Sequence, residues 1–177
     1  MKRSSGLFVM TMLMLSGCAS APKPAPDELD FTRFDQGIAV DEIRLAPTVA
    51  TDLSPADRAV LASKLRIALV SALSETATVT TPGPGVLRIE VMVTEIDTTS
   101  PTANVISAAL VKMPLDRGGI AFEARFFDGH EGQPVALTTQ RHKGSMFDFK
   151  GSFSHYGHAI GALGKWGETL AQELAAT

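Results

Sequence analysis

A single cysteine at the end of an apolar N-terminal run is the residue whose type and position point most directly to chemistry. Lys2 and Arg3 give the chain a basic start, ten mostly apolar residues follow, and the small residues Ser16 and Gly17 precede Cys18. This layout is typical of a secretory signal peptide, with the cut just after the small residues. Ten residues are too few to span a bilayer, which takes roughly 20. We therefore predict export, with cleavage between Gly17 and Cys18.

The four residues that end in this cysteine resemble the lipobox of bacterial lipoproteins. They read Leu-Ser-Gly-Cys, and Cys18 is the only cysteine in the chain. The resemblance implies that a diacylglyceryl group joins the Cys18 sulfur, that a peptidase cuts before Cys18, and that the new amino group is acylated. Each buried CH₂ contributes about 0.8 kcal/mol, so several acyl chains would hold the protein on a membrane permanently. The alternative is an ordinary leader followed by a free or buried cysteine. Apart from this covalent lipid we expect no cofactor.

Histidines and serines are the other candidates for chemistry. His155 and His158 are three residues apart and could share a helical face. A zinc site needs three or four converging ligands, and a lipidated cysteine offers no thiolate, so we expect solvated or capping histidines and no metal. No GxSxG motif occurs, although common residues of catalytic triads cluster at Ser145, Ser152, Ser154, His142, His155 and Asp148. We therefore predict no catalytic residues and no enzyme activity.

The length, the net charge and the cysteine count of the chain limit the class of protein to which it can belong. Removal of residues 1–17 leaves 160 residues, enough for one domain with a proper core. Fourteen basic and 19 acidic side chains then give a formal charge of −5, which argues against nucleic-acid binding. The chain cannot form an internal disulfide with one cysteine, so its stability must come from apolar packing.

The residues after the cysteine predict a location and a tether. In enterobacterial lipoproteins an Asp after the cysteine favours retention in the inner membrane, so Ala19 favours the outer membrane, with the domain facing the periplasm. Three prolines alternate with small and polar residues over 19–30, a composition that predicts an extended tether of about 35 Å. We predict a signal peptide at 1–17, the lipidated Cys18 and tether at 18–30, and one globular domain at 31–177.

Hydrophobic spacing in that domain predicts an α+β fold, a single α/β sandwich with a mainly antiparallel sheet and helices packed on it. The predicted strands cover residues 38–49, 86–96, 120–128 and 134–141, and the predicted helices cover residues 55–74 and about 154–175. Ser54 and Pro55 give the first helix its cap and its first turn, and Pro47 is expected to end the first strand. Val135, Leu137 and Thr139 continue the alternation on the returning strand of a hairpin, whose turn covers residues 128–132.

The final helix contains an apolar stripe that includes Trp166 and a row of glycines. Gly157, Gly161 and Gly164 each lower helix propensity by about 1 kcal/mol. We expect them to allow close backbone packing against the sheet, the alternative being a break in the first turns of the helix.

Residues 102–113 are apolar on most sides, with Lys112 as their only charge. Twelve residues cannot span a membrane. One interpretation is a buried helix, and the other is a contact surface for lipid or a protein partner, centred on Val105, Ile106 and Leu110. A domain of this size has few layers with which to cover both faces of such a helix. We therefore predict that part of the segment is exposed.

Taken together, these features resemble an uncharacterised family of proteobacterial lipoproteins, known only as a domain of unknown function. The matching features run from the Pro84-Gly85-Val86-Leu87 start of a strand to Trp166, and include Ser100-Pro101, the Gly118-Gly119 pair and the acidic hairpin turn. The glycine-rich final helix departs from the alanines and charges that the family leads us to expect. The resemblance implies an α/β sandwich and brings no activity and no catalytic residues.

Three classes of function are left open by the sequence. The one we favour is a lipid-anchored, non-enzymatic binding or structural module of the cell envelope, attached to the membrane through its lipid and contacting an envelope protein or lipid. The second is a ligand-binding or auxiliary lipoprotein of a lipid-transport system, with an apolar cleft under residues 100–115. The least favoured is a hydrolase.

Overall fold

The chain folds into one five-stranded sheet with helices packed on it. The computed structural model describes residues 29–51, 53–98, 118–129, 132–143 and 154–176. The strands are β1 (Gly37–Val40), β2 (Arg44–Leu45), β3 (Val86–Asp97), β4 (Gly119–Asp128) and β5 (Ala136–Lys143). The helices are α1 (Pro47–Ala50), α2 (Pro55–Ser74) and α3 (Gly157–Ala175), with a short 3₁₀ helix at Phe31–Arg33.

The order of strands across the sheet is β1-β3-β4-β5, and β2 lies beside β3 after β1. Strands β3, β4 and β5 are antiparallel to one another, whereas β1 and β2 run parallel to β3. The predicted α+β sandwich with a mainly antiparallel sheet is therefore confirmed.

Helix α2 begins and ends at the predicted residues. The Ser54 hydroxyl oxygen accepts a hydrogen bond from the backbone N–H of Asp57 at 3.2 Å, and Pro55 occupies the first turn. The leucines at helical spacing, Leu61, Leu65, Leu69 and Leu73, are buried. These leucines therefore form the face that α2 turns to the core.

The core lies between the two long helices and one face of the sheet. Alternate residues of β3 and β4 are buried there, namely Leu87, Ile89, Val91, Val93, Ile120, Phe122, Ala124 and Phe126. Trp166 of α3 meets Phe122 edge-on, with ring centroids 5.0 Å apart, a favourable geometry for two aromatic rings. The alternation predicted for both strands is confirmed.

The single strand predicted over residues 38–49 is wrong, because two short strands and a helix occupy that range. Val40 pairs with Ile89, and Arg44 pairs with Met92. Four residues along the segment from β1 to β2 therefore correspond to three residues along β3. The extra residue interrupts the strand pairing, as a β-bulge does. Pro47 begins α1 instead of ending a strand, a position where its missing N–H is not needed.

Strand β5 begins two residues later than predicted. The residues that face the helices are not the ones whose alternation led to the prediction of this strand. Ala136, Thr138, Gln140 and His142 pair with the buried residues of β4, so they lie on the helix-bearing face. Leu137 and Thr139 lie on the opposite face, where Leu137 is half-buried and Thr139 is exposed. Because most of these inward-facing residues are polar, hydrophobicity alone does not indicate which side of β5 faces the helices.

Helix α3 begins at Gly157, and its closest glycine contact is with α2. A β-carbon at Gly167 would be 3.0 Å from the Ala72 Cβ, and one at Gly164 would be 4.0 Å from the Ala68 Cβ. The expected packing against the sheet is therefore wrong for Gly164, whose nearest neighbour belongs to α2. The small residues lie between the two helices, side by side on the same face of the sheet.

Several predicted features lie outside the described residues. They are the lipobox with Gly17 and Cys18, the tether as far as residue 28, and the contact surface at Val105, Ile106 and Leu110. No helix in the described part of the chain combines the length and the apolar character needed to cross a membrane.

Candidate binding surface

The face of the sheet opposite the long helices presents charged side chains, and we call it the polar face. Its residues on β3 and β4 are Arg88, Glu90, Met92, Glu123, Arg125 and Phe127. The strand register sets these residues side by side, because Arg88 pairs with Phe127 and Glu90 pairs with Arg125. An Arg-x-Glu on one strand and a Glu-x-Arg on its antiparallel neighbour thus form a lattice of alternating charge.

Arg88 is the most connected side chain of the polar face. Its guanidinium group donates hydrogen bonds to Asp41 Oδ2 and Glu90 Oε1, both at 3.0 Å, and to the carbonyl oxygen of Gly129 at 3.2 Å. It also lies 4.1 Å from the centre of the Phe127 ring, which is only 4% exposed. Arg88 therefore joins the end of β1 to β3 and to the end of β4, and it covers an aromatic ring that would otherwise meet water.

A cavity of about 550 Å³ lies beside Arg88 on this face. It is lined by Arg88, Glu90, Glu123, Arg125, Phe127, Gly132, Pro134 and Leu137. Arg125 and Glu123 form an ion pair at 2.6 Å within it. Its size falls in the range of ligand pockets, and its charges of both signs over an apolar floor suit the reversible binding of a polar segment.

The charged groups whose pKa values shift lie at the surface. Hydrogen bonds from the hydroxyl and backbone N–H of Thr32 lower the pKa of Asp30, which caps the 3₁₀ helix. A bidentate pair with Glu95 raises the pKa of Arg141. Each shift has a local hydrogen-bonding cause, as expected for paired groups that stabilise a surface.

The three histidines that the structure describes occupy three different environments, and His130 lies outside the described residues. His155 is exposed and precedes α3, so it does not share a helical face with His158. His158 is 3% exposed, so of the two expected roles, a solvated or a capping side chain, the first is wrong for this residue. His142 lies on the inward row of β5, stacked on Phe122 with ring centres 6.0 Å apart. No three His, Cys, Asp or Glu side chains among the described residues could together hold a metal ion.

The serine cluster falls largely outside the described residues, since Ser145, Asp148 and Ser152 are not among them. Ser154 is exposed in the turn before α3. The Arg88 network is not predicted by the sequence, where Arg88 and Glu90 are simply polar residues that alternate with the apolar residues of a strand. The equal spacing of opposite charges on two strands of one sheet was the signal available.

Comparisons with known proteins agree with an uncharacterised family. A family model described as "Protein of unknown function (DUF3313)" matches residues 27–170. None of the curated proteins matches the chain significantly. Among solved structures, a crystal structure of a Xanthomonas campestris protein of the family model DUF330 is similar, with 13% identity and a TM-score of 0.45. That similarity covers 79% of this chain and 88% of the other.

Proposed function

This chain belongs to the DUF3313 family of proteins of unknown function, and we propose that it acts as a lipid-anchored binding protein of the cell envelope. In this proposal Cys18 carries the lipid, the outer membrane holds the anchor, and residues 31–177 face the periplasm. The observation that carries it is the position of the only cysteine, directly after a basic start, an apolar run and two small residues. The family match begins at residue 27, after this whole signal.

Binding without catalysis is the second part of the proposal. The polar face supports it because Arg88, Arg125 and their carboxylate partners neutralise one another at distances between 2.6 and 3.0 Å. Groups paired in this way can exchange partners with the charged groups of a ligand. We propose that the partner is another component of the envelope.

The anchor is tested by Cys18→Ser in the full chain, with Ser20→Ala as a control just outside the lipobox. Cells are fed a fatty-acid analogue, and membrane fractions and the mass of the mature N-terminus are measured. Wild type and Ser20→Ala should be labelled and fractionate with the outer membrane, because the thiol at position 18 is the site of lipid attachment. Cys18→Ser should give an unlabelled product that keeps its signal peptide.

An unlabelled wild-type protein would refute the anchor. Labelled protein found in the inner membrane would refute only the location. Phospholipid that co-purifies with the protein in stoichiometric amounts would favour the auxiliary lipid-transport alternative over the binding of a protein.

A further inference from the structure

Helix α2 has a second face, opposite its buried leucines, and none of the described residues on that face is charged. We call it the outer face of α2, and its residues are Ala56, Ala59, Val60, Ser63, Ile67, Val70, Ser71 and Ser74. All of them are exposed except Val70, which is half-buried. A helix at a protein surface normally presents charged and polar side chains to water, and a helix without such a face is normally covered. The outer face therefore has the composition of a contact surface.

Val60 and Ile67 are the large apolar side chains of the outer face. Val60 is 54% exposed and Ile67 is 61% exposed, and no other large apolar side chain in the described part of the chain counts as exposed. They are seven residues apart, which is close to two helical turns, so they lie on one line along the helix. The exposed apolar surface of the described chain is thus concentrated on this one face.

The spacing along the outer face is the spacing at which two helices pack together. Residues 56, 60, 63, 67, 70 and 74 follow one another at alternating intervals of four and three. The mean interval of 3.5 residues is the repeat that keeps one helix in contact with another over several turns. A lipid surface does not require this repeat, so the spacing favours another helix as the occupant.

The order of large and small side chains on the outer face is complementary to itself when the helix is reversed. Consider a second copy of α2 that runs antiparallel to the first, related to it by a two-fold axis between residues 61 and 62. Ile67 would then face Ala56 of the second copy, and Val60 would face Ser63 of the second copy. The axis repeats each of these pairs, so every large side chain meets a small one. Such alternation lets the side chains of two packed elements interdigitate.

Charged residues beside the outer face favour the same arrangement. Asp57 and Lys64 are two turns apart on one side of the helix, and both are exposed. In the antiparallel pair, Asp57 and Lys64 of the second copy lie within about 3 Å of each other along the helix axis, at 1.5 Å per residue. Lys64 forms no ion pair with another described residue, and Asp57 accepts one hydrogen bond, from the Ser54 hydroxyl at 2.6 Å. Opposite charges at such flanking positions set the partner and the orientation of paired helices.

The other ways of pairing two copies bring like charges together. A parallel pair would place Lys64 beside Arg66 of the second copy. An antiparallel pair shifted by seven residues would set the two Lys64 side chains opposite each other and Asp57 opposite Glu75. Like charges placed side by side weaken an interface, so these arrangements are disfavoured. Size and charge therefore agree on a single register.

We propose that two copies of this chain pair through the outer faces of α2, antiparallel and in this register. The contact covers about four turns of each helix. It is small beside the roughly 1,200–2,000 Å² that stable complexes bury, so the pair is weak in dilute solution and forms where copies are concentrated. In this respect the inference rests on the proposed anchor at Cys18, because copies held on one membrane have a high effective concentration.

The experiment forms disulfides between copies of the full chain in intact cells. Cys18 is the only natural cysteine, so each introduced cysteine reports on one position. Two differently tagged copies are expressed together, one with Ala56→Cys and one with Ile67→Cys. An oxidant is added, and the linked peptides are identified by mass spectrometry. Thr139→Cys, on the polar face of the sheet, replaces either variant as the control for random collision. All three positions are exposed, so the fold should be spared, and thermal melting checks this.

We expect Ala56→Cys and Ile67→Cys to be linked to each other at least tenfold more than either is linked to itself. In the proposed register two like positions lie about 17 Å apart along the helix axis, too far for a disulfide. Links between like positions would indicate a parallel pair, and a link from Ala56→Cys to Ser74→Cys would indicate the shifted register. Either result would overturn the proposal. So would links to a different protein alone, or no link above the Thr139→Cys background.

Reversal of one charge tests the flanking pair separately. Lys64→Asp in both copies places two carboxylates side by side, so the link between positions 56 and 67 should fall several-fold. Lys143→Asp makes the same change of charge at the exposed end of β5 and is the matched control. An unchanged link with Lys64→Asp, or an equal loss with Lys143→Asp, would contradict the proposed register. The acyl mass on Cys18, measured in the same samples, reports separately on the proposed anchor.

Discussion

Gly167 of α3 lies so close to Leu69 of α2 that a β-carbon at position 167 would be 2.9 Å from Leu69 Cδ1. The same β-carbon would be 3.0 Å from the Ala72 Cβ, which cannot turn away as a leucine tip can. The two helices therefore meet through a glycine and an alanine, and their close approach buries Leu69 completely. Small residues at the contact, and not hydrophobic spacing alone, set the distance between these two helices within their layer.

Gly167→Val is predicted to destabilise the domain by about 1–3 kcal/mol, because the added β-carbon and its two methyl groups must force the helices apart. Gly164→Ala is the matched control. Its β-carbon would be 3.9 Å from the Ala68 carbonyl oxygen, which is ordinary contact. Alanine should therefore stabilise α3 there by up to about 1 kcal/mol. Thermal or urea unfolding of both variants measures the difference, and equal midpoints would contradict the close contact at Gly167.

Trp166→Ala is predicted to cost about 3–5 kcal/mol. The ring is 8% exposed and contacts Phe122 and Phe126 on the facing strand, with centroids 5.0 and 6.4 Å away. Ile67→Ala serves as a control for apolar truncation at the surface, because Ile67 is 61% exposed and should change stability by less than about 0.5 kcal/mol. Tryptophan fluorescence cannot follow this variant, so far-ultraviolet circular dichroism is the measurement. An unchanged midpoint for Trp166→Ala would place the ring outside the core.

Arg88→Ala is predicted to destabilise the domain by about 1–2 kcal/mol, since it removes the cation between Asp41 and Glu90 and uncovers Phe127. The Arg88 side chain is only 17% exposed, so water screens these contacts incompletely. Arg33→Ala is the comparison, because Arg33 is 55% exposed, forms an ion pair with Asp128 at 2.7 Å and lies 5.9 Å from the centre of the Phe34 ring. An exposed pair of this kind contributes about 0–1 kcal/mol. Equal losses for the two variants, measured by urea unfolding, would show that the Arg88 network adds nothing beyond a surface ion pair.

Hydrophobic spacing predicts those helices and strands that have one buried face and one face exposed to solvent. Helix α2 and strand β3 are of this kind, and the residues from Leu61 to Leu73 and from Leu87 to Val93 fall where their periods place them. Strand β5 fails the same test because its inward row carries Thr138, Gln140 and His142. Which residues of β5 face the helices is set by the register of its pairing with β4, and the sequence of β5 alone does not contain that register.

The interruption between β1 and β2 and the Arg88 network also depend on contacts between residues far apart in sequence, so local sequence does not predict them. Residues 41–43 follow the pattern of a strand, and only the register against β3 shows that one residue is surplus. Opposite charges at equal spacing on β3 and β4 indicate a cross-strand lattice only when the register is known, as Glu90 opposite Arg125 shows. The export and lipidation signal that we propose at Cys18 needs no such information, because its residues are adjacent in sequence.

Ile106→Asp is the prediction that separates the two interpretations of residues 102–113. That segment lies outside the described residues, but the chain leaves β3 after Asp97 and returns to β4 at Gly119, which pair with each other, so both ends of the segment lie at the same end of the sheet. If Ile106 belongs to a contact surface, the aspartate should spare thermal stability and weaken the association with lipid or a protein partner. If Ile106 is buried, an unpaired carboxylate in the core should unfold the domain. Thr102→Asp, at a polar position of the same segment, is the control and should change neither property. Loss of folding with Ile106→Asp alone would remove the contact surface and leave a buried helix.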